Sequence, residues 1–272
     1  MRTSSAGRLA GAGWTHDTER PDLETASDGY ARRFDTAVGR YLLERQTMVV
    51  SRLLAAAGSR RLSILDVGGG HGQIIDTLAS RGHDVVVHGT DEHCFRRLAA
   101  PAARWPGQIT TCVSPLWSIP FEDRAFDLVM GIRLLAHVVR WRELLLEMTR
   151  LSSRFLLLDF PIHESLHRMS GAMFGIKRRV ERNTRPYFSY RLEDIRIRLD
   201  ELDFRVLRQQ GQFVLPMVAH RFMRAPGLSR NLEGVLCALG LGSRWGSPVL
   251  LLAGRVSGNG GQFNPGCDGG GT

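Results

Sequence analysis

The chain has 272 residues and a formal net charge of +9, from 36 basic against 27 acidic residues. That length accommodates one α/β domain with insertions and a sizeable core; the charge excludes little, because Lys177 is the single lysine among many arginines, the bias a GC-rich coding sequence produces. Cys94, Cys112, Cys237 and Cys267 lie far apart without C-x-x-C spacing, which argues against a disulfide framework and a zinc site, and no run of about twenty apolar residues is present to cross a membrane.

In chain order, residues 1–25 mix Gly, Ala, Ser, Thr and Arg without periodicity and are expected to be disordered. Residues 28–34 read as a short amphipathic helix carrying Tyr30 and Arg33. A buried strand is expected over 63–67; it contains Asp66 and opens into Gly68, Gly69, Gly70 and Gly72 around His71. Residues 73–80 then have helical spacing at Ile74, Ile75 and Leu78. A Gly-rich turn between strand and helix lets a ligand approach bare backbone, with the free amides of the helix start facing it. The dinucleotide fingerprint G-x-G-x-x-G, started at Gly68, fails at Gln73, whereas acid-x-G-x-G-x-G is complete at Asp66, Gly68, Gly70 and Gly72.

A second buried strand, 85–89, is followed by Asp91, where a carboxylate can accept both hydroxyls of a ribose, and a helix is expected over 95–100. Ser114-Pro115-Leu116-Trp117 comes next, then the segment 119–130 leading into a fourth strand and Arg133 to His137 at its exit. Residues 141–150 read as a helix and 154–160 as strand five. An insertion rich in His, Arg, Met and Phe occupies 162–186. Residues 189–202 place Leu192, Ile195, Leu199 and Leu202 on one helix face, 204–207 read as strand six, and 212–246 form a second, apolar insertion. The last strand is expected over 248–253, and the Gly-rich stretch 257–272 is expected to be disordered.

Together these motifs resemble the class I S-adenosylmethionine-dependent methyltransferases. The acid-x-G-x-G-x-G run has the form of that family's first motif, and Ile119-Pro-Phe-Glu-Asp-Arg-Ala-Phe-Asp-Leu-Val-Met130 is similar to its L-P-F-x-D-x-x-F-D-x-V segment. The resemblance covers roughly residues 28–256. It implies an α/β, doubly wound, Rossmann-like fold: a mostly parallel seven-stranded sheet with helices on both faces, in one domain over 26–256, with lid insertions 162–186 and 212–246 after strands five and six. It also implies S-adenosyl-L-methionine as cofactor. The contacts would be Asp66, Gly68, Gly69, Gly70 and Gly72 in the loop, Asp91 at the ribose, and Tyr30 and Arg33 at the methionine carboxylate. Relatives often carry an adenine-binding acid where this chain has Ser114-Pro115, so adenine would fall to backbone and to Leu116 and Trp117. Arg133, at the strand-four exit, would face the cofactor or an anionic acceptor.

Methyl transfer from a sulfonium is an in-line displacement that depends on positioning; a hydroxyl acceptor would also need a base. His137 and His163 are nearest by position, although each also reads as a capping or core histidine. No metal ligand set is suggested. Arg178, Arg179, Arg182 and Arg185, with Phe213, Met217 and Phe222, would face the strand ends and suit a small-molecule acceptor of amphipathic or lipid-like character. The basic run 177–185 reads equally as a solvated face or an anion-binding lid. The strand-four exit Gly131-Ile-Arg-Leu134 lacks the Asn-Pro-Pro-Tyr type sequence of amino-methylating nucleic-acid enzymes, which weighs against a nucleic-acid substrate without excluding it. An RNA methyltransferase and a non-catalytic partner protein of the same fold are the alternatives. A cytoplasmic location follows by default; peripheral membrane contact through 212–246 stays open, and the oligomeric state is undetermined.

Overall fold

The computed structural model describes residues 20–58, 60–70, 72–163, 187–215, 219–220 and 226–256. Two short helices, α1 (Asp22–Thr25) and α2 (Asp28–Ala31), precede the long α3 (Ala37–Ala56). Then come β1 (Ser63–Val67), α4 (Ile75–Ala79), β2 (Asp84–Gly89), α5 (Ala99–Arg104), β3 (Ile109–Val113), β4 (Phe126–Gly131), α6 (Trp141–Leu151) and β5 (Ser152–Phe160). The described chain ends with α7 (Leu192–Glu201), β6 (Phe204–Gly211), α8 (Pro226–Ala238), α9 (Leu241–Trp245) and β7 (Val249–Arg255). The seven strands form one sheet in the order β3-β2-β1-β4-β5-β7-β6, in which β7 alone runs antiparallel to its neighbours. Strand order reverses between β1 and β4, the point at which ligands bind in open α/β sheets.

Alternation along the strands builds two cores. Ile64, Val85, Val87, Leu128, Met130 and Leu157 point to the face covered by α3 and α4, through Val49, Leu53, Ile75 and Leu78. Leu65, Val129, Leu156 and Leu158 point to the other, covered by Leu144, Leu145 and Met148 of α6 and Ile195 and Leu199 of α7. With helices on both faces, the doubly wound expectation holds. The 119–130 segment is held from α6: Arg150 donates to the carbonyls of Ile119 (3.0 Å) and Phe121 (2.8 Å), while Glu147 accepts from the Ile119 amide (2.8 Å).

Several local expectations change. Asp22–Thr25 is helical with Asp22 and Thr25 buried, so the disorder expected through residue 25 does not extend over 20–25; residues 1–19 and 257–272 lie outside the described residues. The helix expected over 95–100 is split into a 3-10 turn, Glu92–Phe95, and α5. Helix α3 and strand β3 had no counterpart in the sequence reading. Strand β3 is an edge strand whose Thr110, Thr111 and Val113 are exposed, so it carries no apolar run to read. The insertion 162–186 lies outside the described residues apart from Ile162 and His163. In the second insertion, Phe213 packs with Val38, Tyr41 and Leu42, and α8 contacts α3, so its described part thickens the α3 layer.

Candidate active site

The chain leaves β1 through Gly68 (φ +68°) and reaches Gly72 (φ +67°), conformations that glycine adopts without strain. Gly69 and Gly70 are required for space. A Cβ on Gly69 would stand 2.0 Å from Asp66 Oδ2, and one on Gly70 would stand 2.4 Å from the Cys94 carbonyl oxygen. Asp66 is fully buried beside this turn, and among the described residues neither carboxylate oxygen has a hydrogen-bond partner. Burial pushes its pKa up to about 8. Such a group stays largely protonated near neutrality and ionises when a cation is brought to it.

At the exit of β2, Asp91 caps the 3-10 turn, with Oδ1 accepting from the His93 amide (2.9 Å) and lying 2.6 Å from His93 Nδ1; Oδ2 lies 3.5 Å from Arg20. Hydrogen bonds from His93 hold its carboxyl below the usual carboxylate range. Asp22, from α1, accepts from the Thr90 amide and hydroxyl, both at 2.6 Å, and its Cβ would be 3.6 Å from a Cβ on Gly68. These contacts tie α1 across the exits of β1 and β2. The Nε2 proton of His88 is donated to the Ser114 carbonyl (2.9 Å); burial lowers the pKa of His88 and keeps it neutral, fixing the turn after β3. Leu116 is buried in the core cluster with Leu65 and Leu144, and the half-buried Trp117 carries Arg140 over its ring at 4.8 Å.

The exits of β4 and β5 hold a polar cluster. Arg133 (φ +58°) lies over the Phe34 ring at 4.5 Å and donates to the side-chain oxygens of Gln73, just past the glycine loop, and Gln46, in α3. Among the described residues, its guanidinium has these amide oxygens and no carboxylate within ion-pair distance. A guanidinium with neutral partners is suited to an incoming carboxylate. Gln46 also donates to Asp159 Oδ2 (2.7 Å), while Gln212 donates to Asp159 Oδ1 (3.0 Å). Burial pushes the Asp159 pKa up to about 6, opposed by the Arg133 charge, the Arg133 backbone N–H and the two amides. Tyr187 packs edge-on against His137, ring centroids 5.7 Å apart.

This geometry now meets known proteins. Residues 64–153 match the family model of a methyltransferase domain, a span running from the glycine loop through the exits of β2 and β4 into β5. Over these residues the chain carries a methyltransferase domain. No curated protein matches it in sequence. In fold this methyltransferase is similar to the magnesium protoporphyrin IX methyltransferase of Synechocystis, solved with S-adenosylhomocysteine bound, at 19% identity and TM-score 0.59 over 86% of this chain and 96% of that one. It is also similar to the 1,6-didemethyltoxoflavin N1-methyltransferase of Burkholderia thailandensis, solved with its named substrate and S-adenosylhomocysteine, at 14% identity and TM-score 0.59 over 91% and 94% of the two chains.

Of the residues singled out from the methyltransferase sequence, Asp66, Gly68, Gly69, Gly70, Gly72 and Arg133 gather at the β1 and β4 exits, with Asp91 next along at β2. Tyr30 packs on Phe34 (5.6 Å), which in turn underlies Arg133, while Arg33 stands over the Tyr30 ring at 5.2 Å. Leu116 is buried in the core cluster, beside the half-buried Trp117. His163 is exposed, with Nδ1 3.1 Å from Ser189 Oγ, and no contact described for it reaches the Asp159 cluster. The sequence reading missed Asp22, Gln46, Asp159 and Gln212. An acid inside the apolar run Phe155-Leu-Leu-Leu-Asp-Phe160 was the available signal for Asp159, since an uncompensated buried carboxylate is costly. Among the described residues no group of three or more His, Cys, Asp or Glu is placed to hold a metal ion.

Proposed function

We propose that this methyltransferase transfers the methyl group of S-adenosylmethionine to a small-molecule acceptor by in-line displacement at the exits of β1, β4 and β5. The observation that carries the reading is Asp66, a buried carboxylate without a donor among the described residues, beside a turn where a Cβ on Gly69 or Gly70 would clash. The site thus has a latent negative charge and bare backbone, which fits a cationic, adenosyl-bearing ligand. When bound, the cofactor supplies a methyl group activated by the sulfonium. Asp66 would serve the ammonium of its methionine end, Arg133 the carboxylate, and Asp91 the ribose hydroxyls.

On the acceptor side, Asp159 organises Gln46, Gln212 and the Arg133 backbone, and with a pKa of about 6 it is ionised at neutral pH and able to hold an acceptor proton. His137, against Tyr187, is the second candidate for that proton. The Phe34 ring under a cationic Arg133, with Tyr30 packed on Phe34, supports an amphipathic acceptor. Both neighbours described above are named for small-molecule substrates, which supports that class. The basic run 177–185 lies outside the described residues, and no observation favours RNA. Calorimetric titration with S-adenosylhomocysteine tests the cofactor, and transfer of a tritiated methyl group into fractionated cell extract reveals the acceptor. No binding of either cofactor form at high micromolar concentration would end this reading; label in RNA rather than small molecules would overturn the acceptor class.

A further inference from the structure

The turn that would receive the cofactor is covered by the chain itself. Residues 66–70 are all buried. A Cβ on Gly68 would meet Leu134 Cδ1 at 3.0 Å and Asp22 Cβ at 3.6 Å, and one on Gly70 would meet the Cys94 carbonyl. Asp22 is itself wholly buried. Its Oδ2 accepts from the Thr90 amide (2.6 Å) and the Cys94 thiol (3.4 Å), and its Oδ1 accepts from the Thr90 hydroxyl (2.6 Å). Two residues earlier, Arg20 lies 3.5 Å from Asp91 Oδ2. Helix α1 and the residues leading into it thus set one side chain against Gly68 and another on the carboxylate assigned to the ribose. A ligand that brings an ammonium to Asp66 and a ribose to Asp91 has to move part of this cover aside.

We propose that α1 is an autoinhibitory cover that S-adenosylmethionine displaces on binding, an inference that rests on the cofactor reading above. Of the three groups that press on the loop, two belong to connections of the sheet. Leu134 follows β4 directly and packs in the core cluster with Leu65 and Leu144. Cys94 sits in the 3-10 turn that follows β2, with its amide bonded to the Asp91 carbonyl (3.0 Å). Helix α1 is the third, and it has only four residues, far below the length at which a helix holds together alone. It reaches the strand exits from outside the sheet, and its hold on them is largely polar.

That hold is of a size a ligand can overcome. The Arg20–Asp91 pair and the Asp28–Arg97 pair (2.7 Å) of α2 are largely exposed, and such pairs contribute little. Asp22 is the strong point, because its carboxylate takes three donors out of water. When only the uncovered form admits the cofactor, the apparent affinity is the intrinsic one reduced by the fraction uncovered. Weakening Asp22 therefore raises affinity. A helix that instead closes over a bound cofactor and grips it would give the opposite sign.

Hydrogen–deuterium exchange of the wild-type full chain, read by mass spectrometry with and without saturating S-adenosylhomocysteine, tests the displacement without any substitution. Amides of residues 20–31 should exchange faster when S-adenosylhomocysteine is bound. By calorimetry, Asp22→Asn should bind S-adenosylhomocysteine roughly 10-fold more tightly than wild type, and Arg20→Ala, a change at an exposed position, roughly 2-fold more tightly. Unchanged or slower exchange over 20–31 on binding would overturn the proposal while leaving the cofactor reading intact, as would weaker binding by both variants. Failure of wild type and both variants to bind S-adenosylhomocysteine would remove the cofactor reading and this proposal with it.

Discussion

Replacing Asp66 with Asn tests the centre of the site, because it keeps the shape and removes the ionisation. In the free protein the carboxyl is raised from an ordinary 3.8 to about 8 by burial. Between those values the folded protein retains a proton that the unfolded chain has released, so stability falls as pH rises through this window and the loss is complete above about pH 8. Going from about pH 5 to about pH 8 at about 1.4 kcal/mol per pH unit sets an upper bound of about 4 kcal/mol, and water entry and local relaxation reduce it to roughly 2 kcal/mol. Urea unfolding at both pH values should therefore show wild type losing stability relative to Asp66→Asn as pH rises, since other titrations cancel in the comparison. Binding of the cationic ligand end should expel the proton. Near pH 6.5, calorimetry of S-adenosylhomocysteine in buffers of different ionisation enthalpy should show release of about one proton by wild type and none by the variant. The variant should also bind roughly 10- to 150-fold more weakly, the range for a hydrogen bond to a charged group. Equal pH slopes in the two proteins, with no proton release by wild type, would refute a neutral, unpartnered Asp66.

Asp159→Asn should lower kcat by on the order of 100-fold; in wild type kcat/KM should rise as pH passes upward through about 6, where the carboxyl ionises, and the variant should lack that limb. A wild-type profile flat from about pH 5 to about pH 8 would remove Asp159 from proton handling. Gly70→Ala should destabilise the protein by about 1–3 kcal/mol in urea unfolding, because its Cβ would meet the Cys94 carbonyl, and should weaken S-adenosylhomocysteine; unchanged stability would mean that the carbonyl yields freely. Asp91→Ala should cost the cap of the 3-10 turn and the ribose contact together, with S-adenosylhomocysteine affinity falling roughly 10-fold or more by titration. Because His93 holds the Asp91 carboxyl low, its stabilising contribution should be full above the ordinary carboxylate pKa and fade only as pH falls through the lowered one.

The sequence by itself determined those parts whose causes are local. Ile64-Leu-Asp-Val67 is apolar enough to be buried on both faces, Gly68 and Gly72 are required by φ and Gly69 by the Asp66 side chain just before it, and the 119–130 segment carries its own turn and strand, whereas Gly70 is required by the Cys94 carbonyl, far along the chain. Helix α3 was legible in principle, since Val38, Tyr41, Leu42, Val49, Val50, Leu53 and Leu54 keep helical spacing. What only the tertiary structure decided was the constellation of side chains at the strand ends. Gln46 reaches Asp159 across 113 residues, Arg133 reaches Gln46 across 87 and Gln73 across 60, and Asp22 reaches Thr90 across 68. No local pattern marks such pairs, because strand order brings them together: reversal between β1 and β4 sets the exits of β1, β4 and β5 side by side, and α3 then lays Gln46 over them. The same packing withdraws water from Asp66 and Asp159, and that loss of solvation, a property of the assembled fold, is what moves their proton affinities.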